Sequence, residues 1–210
     1  MRRLVPFLAR LRRDEGGATV VEFALVALPM ILLLVGGLDL GYQSYARSVM
    51  QGALNDAARK ASVQNPEFDS EGDTIEEQVE NEIRDLVGTV ALDAEIKVTQ
   101  KSFFEFSDIG NPEKLMTDVN RNGQFDEEDG DCWEDANDNG EYDTDAGTEG
   151  RGGSNDVVFY SAEIAMPRLL PLDSLIDVPS TIEMTLESAV RNQPYGNQPT
   201  PPVICAVPTT

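Results

Sequence analysis

Histidine is absent from this chain of 210 residues, which removes the commonest general base and the commonest nitrogen ligand for a metal. No Ser-His or Cys-His pair can therefore be assembled, and neither G-x-S-x-G nor G-x-x-x-x-G-K-[ST] occurs. Cysteine is nearly as scarce. Cys132 and Cys205 stand far apart and do not make the four-ligand set of a zinc site. Basic charge is also in deficit, with 16 Lys and Arg against 38 Asp and Glu, for a net charge of -22. Such a body repels nucleic acid and anionic lipid and attracts cations. Carboxylates abound, but without a predicted pocket they are no glycosidase signal. The expectation is a chain that is not an enzyme and has no nucleic-acid partner.

What the chain does have is one long apolar run, GGATVVEFALVALPMILLLVGGLDL, from Gly16 to Leu40. Phe23 to Leu38 carries no charge, and Ala18–Leu38 is long enough to cross a bilayer as a helix if Glu22 is tolerated. An ionisable group inside a membrane helix points to a function and to a partner. Arg2, Arg3, Arg10, Arg12 and Arg13 precede the run, so the positive-inside bias puts the N-terminus in the cytoplasm and the rest in the periplasm. Removing residues 1–17, with those five arginines against Asp14 and Glu15, takes away +3 and leaves -25. A secretory signal also has a basic start and an apolar core, but a shorter core ending in an A-x-A-like site. The closest candidate here, Val35-Gly36-Gly37, lacks that pattern. The expected division is a basic leader over 1–17, a transmembrane helix over 18–41 and a body over 42–210. An uncleaved anchor and conventional signal removal are the alternatives.

Ala18-Thr19-Val20-Val21-Glu22-Phe23 follows a glycine, Gly17, and places Glu22 fifth and an aromatic sixth after it. This arrangement resembles the type IV pilins and pseudopilins, and the Glu-aromatic pair resembles their Flp, or tight-adherence (Tad), subgroup. The continuation, ATVVEFALVALPMILLLVGGLDLGYQSYARSVMQGALNDAARKA, is similar to the TadE-like family of minor pilins over roughly residues 16–62. VVFYSAEIAMPRLLPL and RNQPYG resemble, more loosely, the C-terminal half of some members. The resemblance implies processing at Gly17, Ala18, Glu22 and Phe23 by a prepilin peptidase, which cuts after the glycine. The freed amine of Ala18 would lie one helical turn from Glu22 and share its face. It also implies other minor pilins and pilus assembly proteins as partners, and an inner-membrane location with one pass.

Pro29 interrupts the span, as neighbouring helices permit. Gly36-Gly37 is open to two readings, a close helix approach or lipid-facing glycines. Beyond it, Tyr42, Tyr45, Ala46, Val49, Ala53, Leu54, Ala57, Ala58 and Ala61 form a stripe at helical spacing. The helix should therefore continue unbroken past the membrane boundary. Ser62–Asp73 reads as a linker. Asp73 with Glu76 is the expected cap of a second helix, in which Ile75, Val79, Ile83, Leu86 and Val87 recur before Gly88. Strands are expected over Glu95–Phe106, Asp156–Met166 and Thr181–Arg191, with the alternation of a half-buried antiparallel sheet. The fold class is thus α+β: a long helix packed on a small antiparallel sheet, as in pilins, with an extended proline-rich tail after Gln193.

Between the first two strands lies an acidic insert, 118–156, with an internal repeat. Asp118-Val-Asn-Arg-Asn-Gly-Gln-Phe-Asp126 recurs as Asp135-Ala-Asn-Asp-Asn-Gly-Glu-Tyr-Asp143. Oxygen side chains at positions one, three, five and nine, with glycine at six, match a calcium loop. The expected calcium ligands are Asp118, Asn120, Asn122, the Gln124 carbonyl, Asp126 and Asp129, then Asp135, Asn137, Asn139 and Asp143. The second loop has Ala146 at position twelve, with Asp145 one place early. The alternative is a solvated acidic loop. Cys132 and Cys205 leave two states open, one disulfide or two free thiols, because sequence does not give their separation. Two functions remain from these readings. One is a membrane-anchored minor pilin or pseudopilin in Flp-type pilus assembly or tip formation. The other is a membrane-tethered calcium-dependent adhesin or binding module.

Overall fold

A computed structural model describes residues 16–91, 93–174 and 176–208. Most of the expected leader, residues 1–15, lies outside the described residues, and Gly16–Ala18 are described by their backbone alone. The chain divides into two compact units. One holds the N-terminal stretch up to Ser44 together with Arg168–Ser180; the other holds Tyr45–Pro167 and Thr181–Thr210.

Helix α1 runs unbroken over Gly16–Ala61, with Pro29 inside it. An apolar helix needs neighbours, and the two halves of α1 meet that need differently. In the first unit, Val20, Phe23, Leu25, Leu28, Ile31, Leu33, Leu34 and Leu38 are all exposed. The most apolar 18-residue window has a mean hydropathy of 2.4 and no buried residue. By length and composition this half can cross a membrane. In the second unit, Ala46, Met50, Ala53, Leu54, Ala57, Ala58 and Ala61 are buried. Their spacing of three and four puts them on one stripe. It follows the expected one from Ala46 onward, except that Met50 is buried where Val49 is only half-buried; Tyr45, expected in the stripe, is exposed.

Helix α2 spans Ile75–Gly88 and buries Val79, Ile83 and Val87. Its cap falls one residue later than the expected Asp73–Glu76 pair. Thr74 Oγ1 accepts from the Glu77 amide at 3.1 Å, and the Glu77 carboxylate accepts from the Asp73 and Thr74 amides. The Ser/Thr-x-x-Glu spacing wins because it satisfies donors in both directions. Lys60 of α1 pairs with Glu82 of α2.

Four strands form the main antiparallel sheet: β1 (Glu95–Phe103), β4 (Thr148–Glu149), β5 (Val157–Pro167) and β6 (Thr181–Arg191), in the order β4-β1-β5-β6. Strand β1 ends at Phe103, short of the expected Phe106, because Phe106–Asp108 turns into a 3-10 helix. Opposed pairs such as Tyr160–Ser188, Ala162–Leu186 and Met166–Ile182 line one face. Val158, Tyr160, Ala162, Ile164, Met166, Ile182 and Leu186 are buried there, while Glu163, Glu183 and Glu187 alternate outward. The fold is α+β. Strands β2 (Leu115–Thr117), β3 (Cys132–Glu134) and β7 (Val203–Cys205) add a second sheet that the sequence pattern does not announce. The proline-rich tail is pinned rather than merely extended: Gln198 Nε2 donates to Asp156 Oδ1 at 2.8 Å and to the Phe104 carbonyl at 3.1 Å.

Candidate functional site

Two regions carry the sequence-predicted residues. At the start of α1, Gly17 and Ala18 lie in the first helical turns, so residue 18 and Glu22 stand one turn apart. Glu22 and Phe23 are exposed on a helix whose neighbouring apolar side chains are exposed too. Such a surface is suited to lipid or to another helix.

The acidic insert folds as two copies of one loop. Arg121 and Asp138, at position four, have φ of 62° and 58°; Gly123 and Gly140, at position six, have 82° and 81°. Glycine suits the sixth position because it enters that region without a Cβ clash. Asp118 Oδ1 accepts from the Asn122 amide at 3.2 Å and its Oδ2 from Gly123 at 2.7 Å. Asp135 repeats this with Asn139 at 3.1 Å and Gly140 at 2.8 Å. Asn120 and Asn122 accept, at 2.9 and 2.7 Å, from the Asn122 and Gln124 amides; Asn137 and Asn139 accept likewise from Asn139 and Glu141, at 3.1 and 2.7 Å. Two amide groups then converge on the ninth position. Asp126 Oδ2 receives Nδ2 of Asn120 at 3.1 Å and of Asn122 at 2.6 Å. Asp143 Oδ2 receives Asn137 at 2.8 Å and Asn139 at 2.7 Å.

The copies differ at the twelfth position. Asp129 turns into the first loop and accepts from Asn120 Nδ2. In the second, Ala146 is buried and Asp145 pairs instead with Lys101 at 2.5 Å. The Lys101 ammonium holds the Asp145 carboxyl below the usual carboxylate range. For Gln124, the described contact is its backbone amide donating to Asn122. Among the described residues, no three Asp, Glu, Cys or His side chains form a group that could hold a metal as they stand.

Residues that sequence reasoning passed over hold the loops in place. Asp131, 0% exposed, accepts from the amides of Val119 at 2.8 Å and Asp126 at 2.9 Å, positions two and nine of the first loop. Glu113, 2% exposed, accepts from Ala136 at 2.7 Å and Asp143 at 3.0 Å, the same positions of the second. One carboxylate follows its loop in sequence and the other precedes it, so no repeat marks them. Burial pushes the Glu113 carboxyl up; its two amide donors oppose that, and Asp135 and Asp143 add to it. The eighth positions join the copies: Phe125 stacks on Tyr142 at 4.1 Å, with the buried Trp133 edge-on to Phe125 at 5.1 Å. Cys132 and Cys205, opposed across β3 and β7, are bonded as a disulfide.

Comparison with curated proteins and with solved structures gives no match. A family model does match, and it is described as TadE-like protein. The matched segment coincides with the exposed apolar half of α1 and nearly all of its buried stripe. Over residues 17–59, then, the chain is similar to the TadE-like protein family.

Proposed function

We propose that this chain is a minor pilin or pseudopilin of Flp-type (Tad) pilus assembly, anchored in the inner membrane by α1 and matured by a prepilin peptidase at the Gly17–Ala18 bond. The observation that carries this reading is the TadE-like match on a helix whose first half exposes most of its apolar side chains. In lipid, a charge without a partner is expensive. Glu22 would offset the amine of Ala18, of its own or a neighbouring subunit, where low dielectric strengthens the attraction. Assembly then proceeds by helix packing, with the periplasmic body as the surface other minor pilins recognise. Mass spectrometry of the membrane-extracted protein tests maturation: the expected mature N-terminus is Ala18, and Gly17→Val leaves the precursor intact. A mature chain beginning near Leu38 would sink the anchored model. Glu22→Ala is expected to be cleaved normally yet to lose partner crosslinking and piliation.

A second reading is favoured by the convergence in the insert: calcium binding by Asp118, Asn120, Asn122, the Gln124 carbonyl, Asp126 and Asp129, and more weakly by Asp135, Asn137, Asn139 and Asp143. The donor set is all oxygen and suits a hard cation. Each asparagine carries an oxygen and a nitrogen on one planar group, so rotation of the amide would present oxygen where Nδ2 now faces Asp126 or Asp143, in exchange for the bond its Oδ1 accepts from the loop amide. When bound, the ion would neutralise the crowded carboxylates and order the insert. Calorimetric titration of the detergent-solubilised full chain is expected to give calcium binding around 10⁻⁴–10⁻³ M, as in other extracellular modules. The Asp118→Ala, Asp126→Ala double variant should lose most of that heat. No heat and no melting shift at millimolar calcium in the unaltered chain would reduce the insert to a self-satisfied acidic scaffold.

A further inference from the structure

The connection between β5 and β6, Arg168–Ser180, belongs to the same compact unit as the exposed half of α1. Its sequence, RLLPLDSLIDVPS, is apolar for a hairpin connection. Arg168 closes its base: the Arg168 amide donates to the Ser180 carbonyl at 3.1 Å, and its Nε donates to the Pro179 carbonyl at 2.6 Å. The same guanidinium reaches α1, where Nη1 meets Asp39 Oδ2 at 2.5 Å. Asp39 is 2% exposed and sits between the exposed Leu38 and Leu40, at the end of the apolar run. Gln43 donates to the same carboxylate oxygen at 2.6 Å. The loop is thus tied to the helix at the level where the span ends.

From this juxtaposition we propose that Arg168–Ser180 is a second lipid-contacting element, lying in the bilayer interface beside the end of the α1 span. The proposal rests on the reading of α1 as a membrane anchor. Leu169 and Ile176 are 59% and 45% exposed, whereas Leu172 between them is buried. A single exposed leucine needs no explanation. Two held in one loop beside an unbroken exposed apolar helix continue that helix's lipid surface sideways. The backbone is made safe for that setting by its own short bonds, Leu172 to Leu170 at 2.8 Å, Ile176 to Leu172 at 2.9 Å and Val178 to Ile176 at 2.9 Å. Irregular backbone is excluded from the hydrocarbon core, and the exposed Asp173 and Asp177 hold this loop at headgroup depth. Those two acids also favour zwitterionic over anionic lipid. The Arg168–Asp39 pair lets a carboxylate stand at the boundary with its charge matched.

The test is tryptophan fluorescence of the full chain reconstituted in phosphatidylcholine vesicles, with bromine placed either shallow or deep on the acyl chains. Trp133, the one native tryptophan, gives the baseline. Leu169→Trp and Ile176→Trp probe the loop separately, and Leu33→Trp probes the span. The expected result is blue-shifted emission at both loop positions that loses most of its intensity to shallow bromine and little to deep bromine. Leu33→Trp should show the reverse preference. Quenching at Leu33→Trp with none at either loop position overturns the lipid contact while leaving the anchor standing. Loop tryptophans shielded from aqueous acrylamide yet untouched by bromolipid overturn it in favour of a protein partner. No quenching at Leu33→Trp refutes the anchor, and the proposal with it.

Discussion

The two loops of the insert share a backbone and differ in what closes them. Both use aspartate at positions one and nine, asparagine at three and five, and glycine at six, and both reproduce the same hydrogen bonds. The first keeps a carboxylate at position twelve, Asp129, and takes its clamp, Asp131, from the residues that follow. The second has Ala146 packed inside at position twelve and takes its clamp, Glu113, from the strand side that precedes it. One motif thus combines two separable roles. Shape comes from the repeated asparagines and glycine with a buried carboxylate behind them; under the calcium reading proposed above, the acids in front would supply the charge for the ion.

Removing a clamp is the harshest way to test that separation. Asp131→Ala and Glu113→Ala each leave two amides without their acceptor, at about 1–3 kcal/mol for each orphaned buried donor. Hydrogen exchange should show Val119 and Asp126 losing protection in the first variant, Ala136 and Asp143 in the second. Equal loss in both loops from either variant would show that they fold as one piece.

A smaller effect is expected at the join. Phe125→Ala and Tyr142→Ala, combined in a double-mutant cycle of thermal melting, should show a coupling of about 0.5–1.5 kcal/mol, the range for a stacked aromatic pair. Zero coupling would make the stacking incidental and the loops independent.

The smallest effect is on pH dependence. Glu113 has its pKa raised in the fold, mainly by burial. A raised folded value means this group's contribution is complete below the ordinary glutamate pKa and falls as pH rises through the folded one. Glu113→Gln should therefore remove a decline in melting temperature between mildly acid and neutral pH. An unchanged slope would mean the amide donors fully compensate the burial.

The helices and the long strands were legible because each has a period. The stripe from Ala46 to Ala61 and the alternation in Thr181–Arg191 both reflect one buried face, and a buried face writes itself into sequence. The loops were legible for another reason, since a fixed turn needs glycine and short polar side chains at fixed places. Glu113 and Asp131 were not, because a single buried carboxylate looks like its exposed neighbours in an acidic chain. Strands β2, β3 and β7 were missed because each has three residues, too few for alternation. The association of 168–180 with the first half of α1 was hidden as well. Its Arg168–Asp39 ion pair joins positions 129 apart, and no local pattern reports such a distance.

The bond from Cys132 to Cys205 spans 73 positions, and it has a bearing on timing. Strand β3 sits at the centre of its sheet and waits for β7 before one of its edges is paired. The amide of Asp135, the first residue of the second loop, likewise waits for the carbonyl of Pro202. A chain delivered N-terminus first therefore carries an unfinished insert until residues 202–205 arrive. A product truncated before them would hold every residue of both loops and both clamps, yet lack the β7 pairing, the disulfide and the bond to Asp135. The tail thus serves as a seal of completeness on the insert.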